Sequence, residues 1–418
     1  MLVNESDRGK RGSSDRSRIS MQIVLLTLCG LVGILWTFVV IKAAKSLRCI
    51  EWIEPGSKKT NRRCRLSVIL PARNEQKGIE ASVRSILAQK DVDLELIVVD
   101  DHSTDRTGKI LDHLAGLDSR LKVIHSPELK PGWLGKPNAM QHGADCATGD
   151  YLLFSDADIV HYPGSFTTAI AEMQEHRQDF LALLPFVEWQ GFWENVILPA
   201  AFLVVARYGS KSLEDPSSPD AQASGAFLMI RKSAYRKLGG HEQIKSEVMD
   251  DIEFARLVKR NGFRVGIRLA PNCLKVRPFV SGRDVFWGMT KNLLGAFGNH
   301  SWSAIPIGLM FMLVFWIGII SIVAGFVIHS PAVSIVGLLL YVYIYASMWV
   351  AHRVTSFKPF LLLFYPLASF ILMGSLMIAA YYKTFRGEVL WRGRCVALDG
   401  VPRIPFKAHF RFVRSKSA

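Results

Sequence analysis

Gly149-Asp150-Tyr151-Leu152-Leu153-Phe154-Ser155-Asp156-Ala157-Asp158 is the stretch on which the fold turns. Its apolar run, residues 151–155, stands between turn residues, the pattern of a strand buried in the middle of a sheet. Two carboxylates follow, one residue apart. On an extended backbone alternate side chains share a face, so Asp156 and Asp158 are expected to address one ligand. Two hard oxygen donors aimed at one point suit Mg²⁺ or Mn²⁺, and such an ion commonly bridges a diphosphate. An isolated Asp-x-Asp is more often a solvated strand end, so its surroundings decide its meaning.

Those surroundings repeat the pattern. Residues 66–70 read as a first strand, followed by Pro71-Ala72-Arg73-Asn74-Glu75, and residues 78–89 have helical periodicity. Residues 94–99 form a second buried strand ending in Asp100-Asp101-His102-Ser103-Thr104-Asp105, where Ser103 or Thr104 is placed to cap a helix. Residues 121–124 make a third strand, and a helix runs from the Gly135-Lys136-Pro137 region to about residue 146. Lys136 lies near that helix's start, where a cation gains nothing from the helix dipole, and a phosphate ligand would explain it. Strand and helix alternate, which gives an α/β class with a mainly parallel sheet. The polar clusters fall just beyond strand carboxyl ends, where open α/β sheets bind ligands.

Charge and hydropathy describe the rest of the chain. Residues 1–20, 42–65 and 383–418 together account for the whole formal charge of +15, so the remaining chain is neutral. A nucleic-acid binder would concentrate basic charge on its folded domain. Here it flanks apolar segments, which favours anionic lipid headgroups and excludes nucleic acid as partner. The six cysteines show neither metal-ligand spacing nor a disulfide framework. His161, His241 and His300 are read as satisfied core or surface histidines rather than metal ligands.

Residues 19–41 can span a bilayer as an uncleaved anchor, and the basic stretch 42–65 places that end in the cytoplasm. Residues 191–208, polar at the start and broken by Pro199, are expected as a helix on the membrane surface or at an acceptor entrance. Residues 214–220 are expected as a mobile turn-rich loop. Residues 304–328, 332–351 and 360–382 are each long enough to cross, the first two as a hairpin around His329-Ser330-Pro331. Three complete crossings would put the basic tail outside. The positive-inside bias instead favours a third segment that Pro366 breaks before it crosses. The expected organisation is therefore a basic tail at 1–18, an anchor at 19–41, a linker at 42–65, an α/β domain at 66–303, a membrane region at 304–382 and a basic tail at 383–418.

The order Pro-Ala-Arg-Asn-Glu at 71–75, Val-Val-Asp-Asp-x-Ser-x-Asp at 98–105, Gly-Lys-x-x-Ala at 135–139 and Asp-Ala-Asp at 156–158 resembles the family 2 glycosyltransferases. These are inverting enzymes of the GT-A fold that use nucleotide-sugar donors. The segments 225–232, 239–240 and 250–254 extend the likeness, which covers about residues 66–300. The membrane-bound layout and Trp391-Arg392-Gly393-Arg394 resemble the hopene-associated, carotenoid and ceramide-type members. The resemblance implies that Pro71, Glu75, Asp100, Asp101, Lys136 and Asp156 line the donor and nucleotide site, with Asp101 favoured for the base. It implies that Asp156 and Asp158 hold Mg²⁺ or Mn²⁺, and that Asp251, beside Asp250, is the general base. Gly225, Trp287 and Lys291 are candidates for the acceptor side. It further implies a nucleotide-sugar donor, a lipid acceptor and a cytoplasmic catalytic domain on a bacterial inner membrane.

One departure matters. The Gln-x-x-Arg-Trp motif of processive synthases and many ceramide-type enzymes does not follow the acidic pair, and residues 286–292 read Phe-Trp-Gly-Met-Thr-Lys-Asn. That weakens a polysaccharide-synthase reading. A polyprenyl-phosphate acceptor, a nucleotidyltransferase releasing pyrophosphate and a non-catalytic nucleotide-sugar sensor also compete with the lipid-hydroxyl reading. Nothing in the sequence sets the oligomeric state.

Overall fold

The computed structural model describes residues 5–58, 64–205, 213–218, 220–276, 281–296, 304–353, 355–386, 388–391 and 394–397. Nine strands form one sheet: β1 (Arg65–Ala72), β2 (Asp93–Asp100), β3 (Leu121–His125), β4 (Tyr151–Phe154), β5 (Val160–His161), β6 (Phe180–Glu188), β7 (Leu228–Arg231), β8 (Val265–Val276) and β9 (Thr355–Ser356). Their spatial order is β3-β2-β1-β4-β7-β6-β8-β5, with β9 on β6. The strands from β3 to β4 are parallel. β7 runs antiparallel to both β4 and β6, and β5 is antiparallel to β8, so the sheet is mixed.

The central strands are apolar throughout because both faces are covered. Leu66, Val68 and Leu70 of β1 enter one core with Leu96 and Val98 of β2. Ile69, Ile97 and Val99 enter a second core on the opposite face, with Met140 and Phe254 from covering helices. The order along the sheet reverses between β1 and β4. That switch point opens a crevice beyond the carboxyl ends of both strands.

A third core holds the apolar helices together, among them Trp36, Phe315 and Tyr365. Among the described residues, four segments are long and apolar enough to cross a membrane: Arg16–Cys49, Ile305–Val327, Pro331–His352 and Pro359–Tyr381. The anchor expected at 19–41 is part of one helix, Glu5–Cys49. Residues 42–49 continue it because they contain no glycine or proline stop, and Ala43 and Leu47 are buried while Lys42, Lys45 and Arg48 face outward.

Part of the region expected as a linker is built into the sheet. Ile53 N donates to Leu269 O at 2.9 Å and Leu269 N to Glu51 O at 2.9 Å, so this segment joins the sheet. At the start of the 214–220 loop, Glu214 Oε1 accepts from Arg268 at 2.6 Å and from Ile267 N at 3.0 Å. Residues 192–205 form one helix despite Pro199, with Val196, Ile197 and Leu198 in the core shared with the apolar helices.

Candidate active site

β4 ends at Phe154, and the two acids after it lie beyond the strand, Asp158 in a turn. The expectation that strand geometry alone would aim them together is therefore corrected. Tertiary contacts hold them instead. Asp156 N donates to Gly225 O at 3.0 Å, tying the loop to the entry of β7. A Cβ on Gly78 would lie 3.5 Å from Asp158, so that acid sits against the loop after β1.

Lys136 is the hub. Its ammonium lies 2.8 Å from Asp156 Oδ1 and 3.0 Å from Asp250 Oδ2. Its partners among the described residues are these two carboxylates. Loss of water around it would lower its pKa, but Asp156, Asp250 and Asp251 outweigh that and hold it well above the usual lysine value. Asp251 makes different contacts from its neighbour, with Oδ2 accepting from Gly225 N at 3.0 Å and Oδ1 from Ile252 N at 2.8 Å. Desolvation and the adjacent Asp250 raise the Asp251 pKa, while Lys136, the Ile252 amide and Lys291 restrain the rise.

Gly225, expected on the acceptor side, is the seam between these groups. A Cβ there would lie 2.8 Å from Asp156 Oδ2 and 3.0 Å from Lys136 Nζ. The site needs glycine because two charged groups close over it. Lys291 is brought into electrostatic range of Asp251 by the helix Gly282–Ala296. Trp287, on the same helix, packs edge-on to Phe286 and is half-buried.

The donor-side loops are laced to one another. Asn74 N donates to Ser103 Oγ at 3.0 Å, Thr104 N to Asn74 Oδ1 at 2.8 Å and Glu75 N to Thr107 Oγ1 at 2.8 Å. Ser103 and Thr104 thus serve the loop rather than capping the helix, which starts at Thr107 after Arg106. Asn74 adopts a φ of 56°, a conformation in which Asn is enriched, so this fastening carried a sequence signal that motif reading passed over. Asp100 is buried, accepting from Ser103 N at 3.1 Å and lying 3.3 Å from His125 Nδ1. Asp101 faces His102, 3.1 Å away, and Arg73 donates to its carbonyl at 2.7 Å. Pro71 lies within β1, paired with Val99.

The donor set at 156–158 fits a hard dication. Asp158 is open to solvent at the cleft, yet the protein around it thins its hydration, and with Asp156 beside it its pKa is pushed up to about 6. A cation between two such oxygens relieves that repulsion. A separate cluster, Glu51, Glu172 and His176, has ligand-like spacing. There Glu172 is already neutralised by Arg268 at 2.7 Å and Lys58 at 2.5 Å. His161 and His241 are buried in contact with Ser155 and Tyr235, and burial lowers both to about 3. His300 lies outside the described residues.

Residues 67–239 match the family described as Glycosyl transferase family 2. A 4,4'-diaponeurosporenoate glycosyltransferase of Staphylococcus aureus is 26% identical over 342 residues, covering 79% of this chain and 87% of that protein. Its counterpart in Staphylococcus haemolyticus is 26% identical over 265 residues, covering 62% and 68%. The fold is shared with a mannosyltransferase from Pyrobaculum calidifontis, solved in complex with GDP-Man and Mn²⁺, at a TM-score of 0.51, 18% identity and coverage of 87% and 97%. The mixed sheet with its switch-point crevice is thus the expected GT-A fold, carried between apolar helices, and residues 67–239 form a glycosyltransferase family 2 domain within it.

Proposed function

We propose that this enzyme transfers a sugar from a nucleotide diphosphate donor to a membrane lipid, inverting the anomeric carbon in a single displacement. The observation that carries this reading is the cluster Asp156–Lys136–Asp250–Asp251, assembled at the crevice of a sheet whose flanking elements are membrane-length apolar helices. The laced loops after β1 and β2 form the donor side, with Asp101 against the base and Lys136 beside the diphosphate. Asp156 and Asp158 would hold Mg²⁺ or Mn²⁺, which when bound supplies charge neutralisation for the departing diphosphate. The related fold solved with GDP-Man and Mn²⁺ supports such a site.

Asp251 is the base. Its raised pKa makes it a better proton acceptor than an ordinary carboxylate. The acceptor oxygen attacks the anomeric carbon as its proton passes to Asp251. The bond to the diphosphate breaks, and a nucleoside diphosphate leaves with the electron pair. Asp250, buried and paired with Lys136, keeps that lysine aimed between the two halves of the site.

A second reading concerns the acceptor. The relatives are named for an acid, diaponeurosporenoate, and Lys291 stands in range of Asp251. An ionised carboxylate acceptor would be drawn by that lysine and would need no base. Mass spectrometry of lipids from cells with and without the protein tests both: a sugar-bearing lipid present only with it identifies sugar and acceptor group together. Its absence, alongside activity on a soluble acceptor, would overturn the lipid assignment. The catalytic domain faces the cytoplasm, where nucleotide sugars are made.

A further inference from the structure

We infer that the last apolar segment, Pro359–Tyr381, does not cross the membrane but enters from the catalytic side, turns midway and returns, forming a wedge beneath the active site. The inference rests on the membrane-embedded reading of the helices. Length and hydropathy alone would let this segment cross.

Its entry is fixed to the catalytic domain. β9 pairs with the end of β6, Val187 with Thr355 and Glu188 with Ser356. Lys358 N then donates to Asn195 Oδ1 at 2.6 Å, at the start of the helix Phe192–Val205. From there a 3₁₀ helix, Pro359–Leu367, descends and an α-helix, Ala368–Tyr381, begins.

The turn is held at mid-depth. Trp316 Nε1 donates to Pro366 O at 3.1 Å and lies 2.9 Å from Ser369 Oγ, which itself donates to Pro366 O at 2.6 Å. The Tyr341 hydroxyl donates to Leu363 O. Irregular backbone survives at membrane depth only where protein groups satisfy it, and these donors do so. Trp316 lies about 18 Å along the helix Ala304–Val327 from its catalytic-side start, against about 30 Å for a full hydrocarbon crossing.

The return is antiparallel to that same helix. Trp316 meets residues 366 and 369, whereas a Cβ on Gly308 would meet Met373 and Leu376. The later residues of the segment thus lie nearer the catalytic end. There Ser375 Oγ donates to Phe286 O at 3.3 Å, so the returning helix props the helix that carries Lys291. The far side is marked by the hairpin tip, where Arg18 donates to Ile328 O and His329 O. The basic residues beyond 382 then face the same leaflet as the catalytic domain, in accord with the positive-inside bias.

Impermeant thiol labelling of intact and of opened cells, with labelled peptides read by mass spectrometry, tests this in the full chain. Native Cys146, exposed on the catalytic domain, reports its side. Ala332→Cys reports the hairpin tip and Ala418→Cys the tail. Cys146 and position 418 are expected to label only after opening, and position 332 in intact cells. Labelling of positions 418 and 332 together in intact cells, with Cys146 protected, overturns the wedge. If Cys146 and position 418 both label in intact cells while 332 is protected, the wedge stands and the cytoplasmic orientation fails.

Discussion

Asp251 and its neighbours make the sharpest tests at the scale of single residues. Removing a general base typically costs about 10²–10⁴-fold in rate. Asp251→Asn is expected to lower turnover by that order with donor affinity nearly unchanged, read from kcat and from donor titration. A loss of less than about tenfold would favour the ionised-acid acceptor, which brings no proton to remove. Asp158→Asn is expected to abolish transfer while leaving the thermal melt in place, and chelation of the wild type should mimic it until Mg²⁺ or Mn²⁺ is returned. Full activity of Asp158→Asn in metal-free buffer would refute the metal assignment. Gly225→Ala is a geometric test. Its Cβ would intrude on Asp156 and Lys136, and a displacement near 1 Å in such a site costs roughly 10²-fold. Asp156 and Asp158 were legible at this scale because they follow a strand, and Asp250 and Asp251 because they open a helix. The bridge from Asp156 through Lys136 to Asp250 was not, because three separate elements supply it.

Among the elements, buried polar contacts decide more than propensity does. Glu95 on β2 illustrates the sign of one pH effect. Burial would raise its pKa, but Lys122, Thr148 and Ser67 donate to it and bring it down to about 2. An acid lowered in the folded state binds its proton first when unfolded. The stability that it contributes is therefore complete above its unfolded value of 4.5 and is lost as pH falls toward 2. Thermal melts across that window should show a steeper acid loss for wild type than for Glu95→Gln. The helix hairpin offers a second test. A Cβ on Gly337 would lie 2.6 Å from Gly318 O and 2.8 Å from Ser321 Cβ. Small residues let membrane helices approach this closely. Gly337→Leu should therefore prise the two helices apart, which cysteine cross-linking between them would report. Strand and helix identity was visible in the apolar runs. Which polar side chain fastens which loop was not.

The whole molecule is joined by a buried ion cluster as well as by apolar packing. Arg268, buried in β8, reaches Glu172 at 2.7 Å, Glu214 at 2.6 Å and Glu51 at 3.2 Å. Glu51 belongs to the segment leaving the first apolar helix, so this cluster and the Trp52–Leu269 bridge couple the anchor to the sheet. Removing one partner of a buried pair typically costs about 3–5 kcal/mol, because the other charge is left without compensation. Arg268→Ala should lower the melting temperature of the full protein accordingly. Glu51→Gln, at the exposed rim, should change it little, since exposed pairs contribute about 0–1 kcal/mol.

By itself the sequence determined the alternation of strand and helix, the acids beyond the strand ends and the apolar segments, because each reflects burial or chain direction over a few neighbouring residues. A strand covered on both faces must be apolar, and parallel strands must deliver their succeeding loops to the same edge. The tertiary structure alone decided that Asp156 and Asp158 stand in a loop beyond the strand, that Gly225 lies between Asp156, Lys136 and Asp251, and that Glu51, Ile53 and Glu214 are fastened to β8. It also supplied the contacts that turn the last apolar segment, whose failure to cross the charge bias had favoured without showing how its backbone turns. Hydropathy averages over a window and carries no sense of entry or return. That sense comes from individual hydrogen bonds, such as the indole of Trp316 on the carbonyl of Pro366, between residues far apart in the chain.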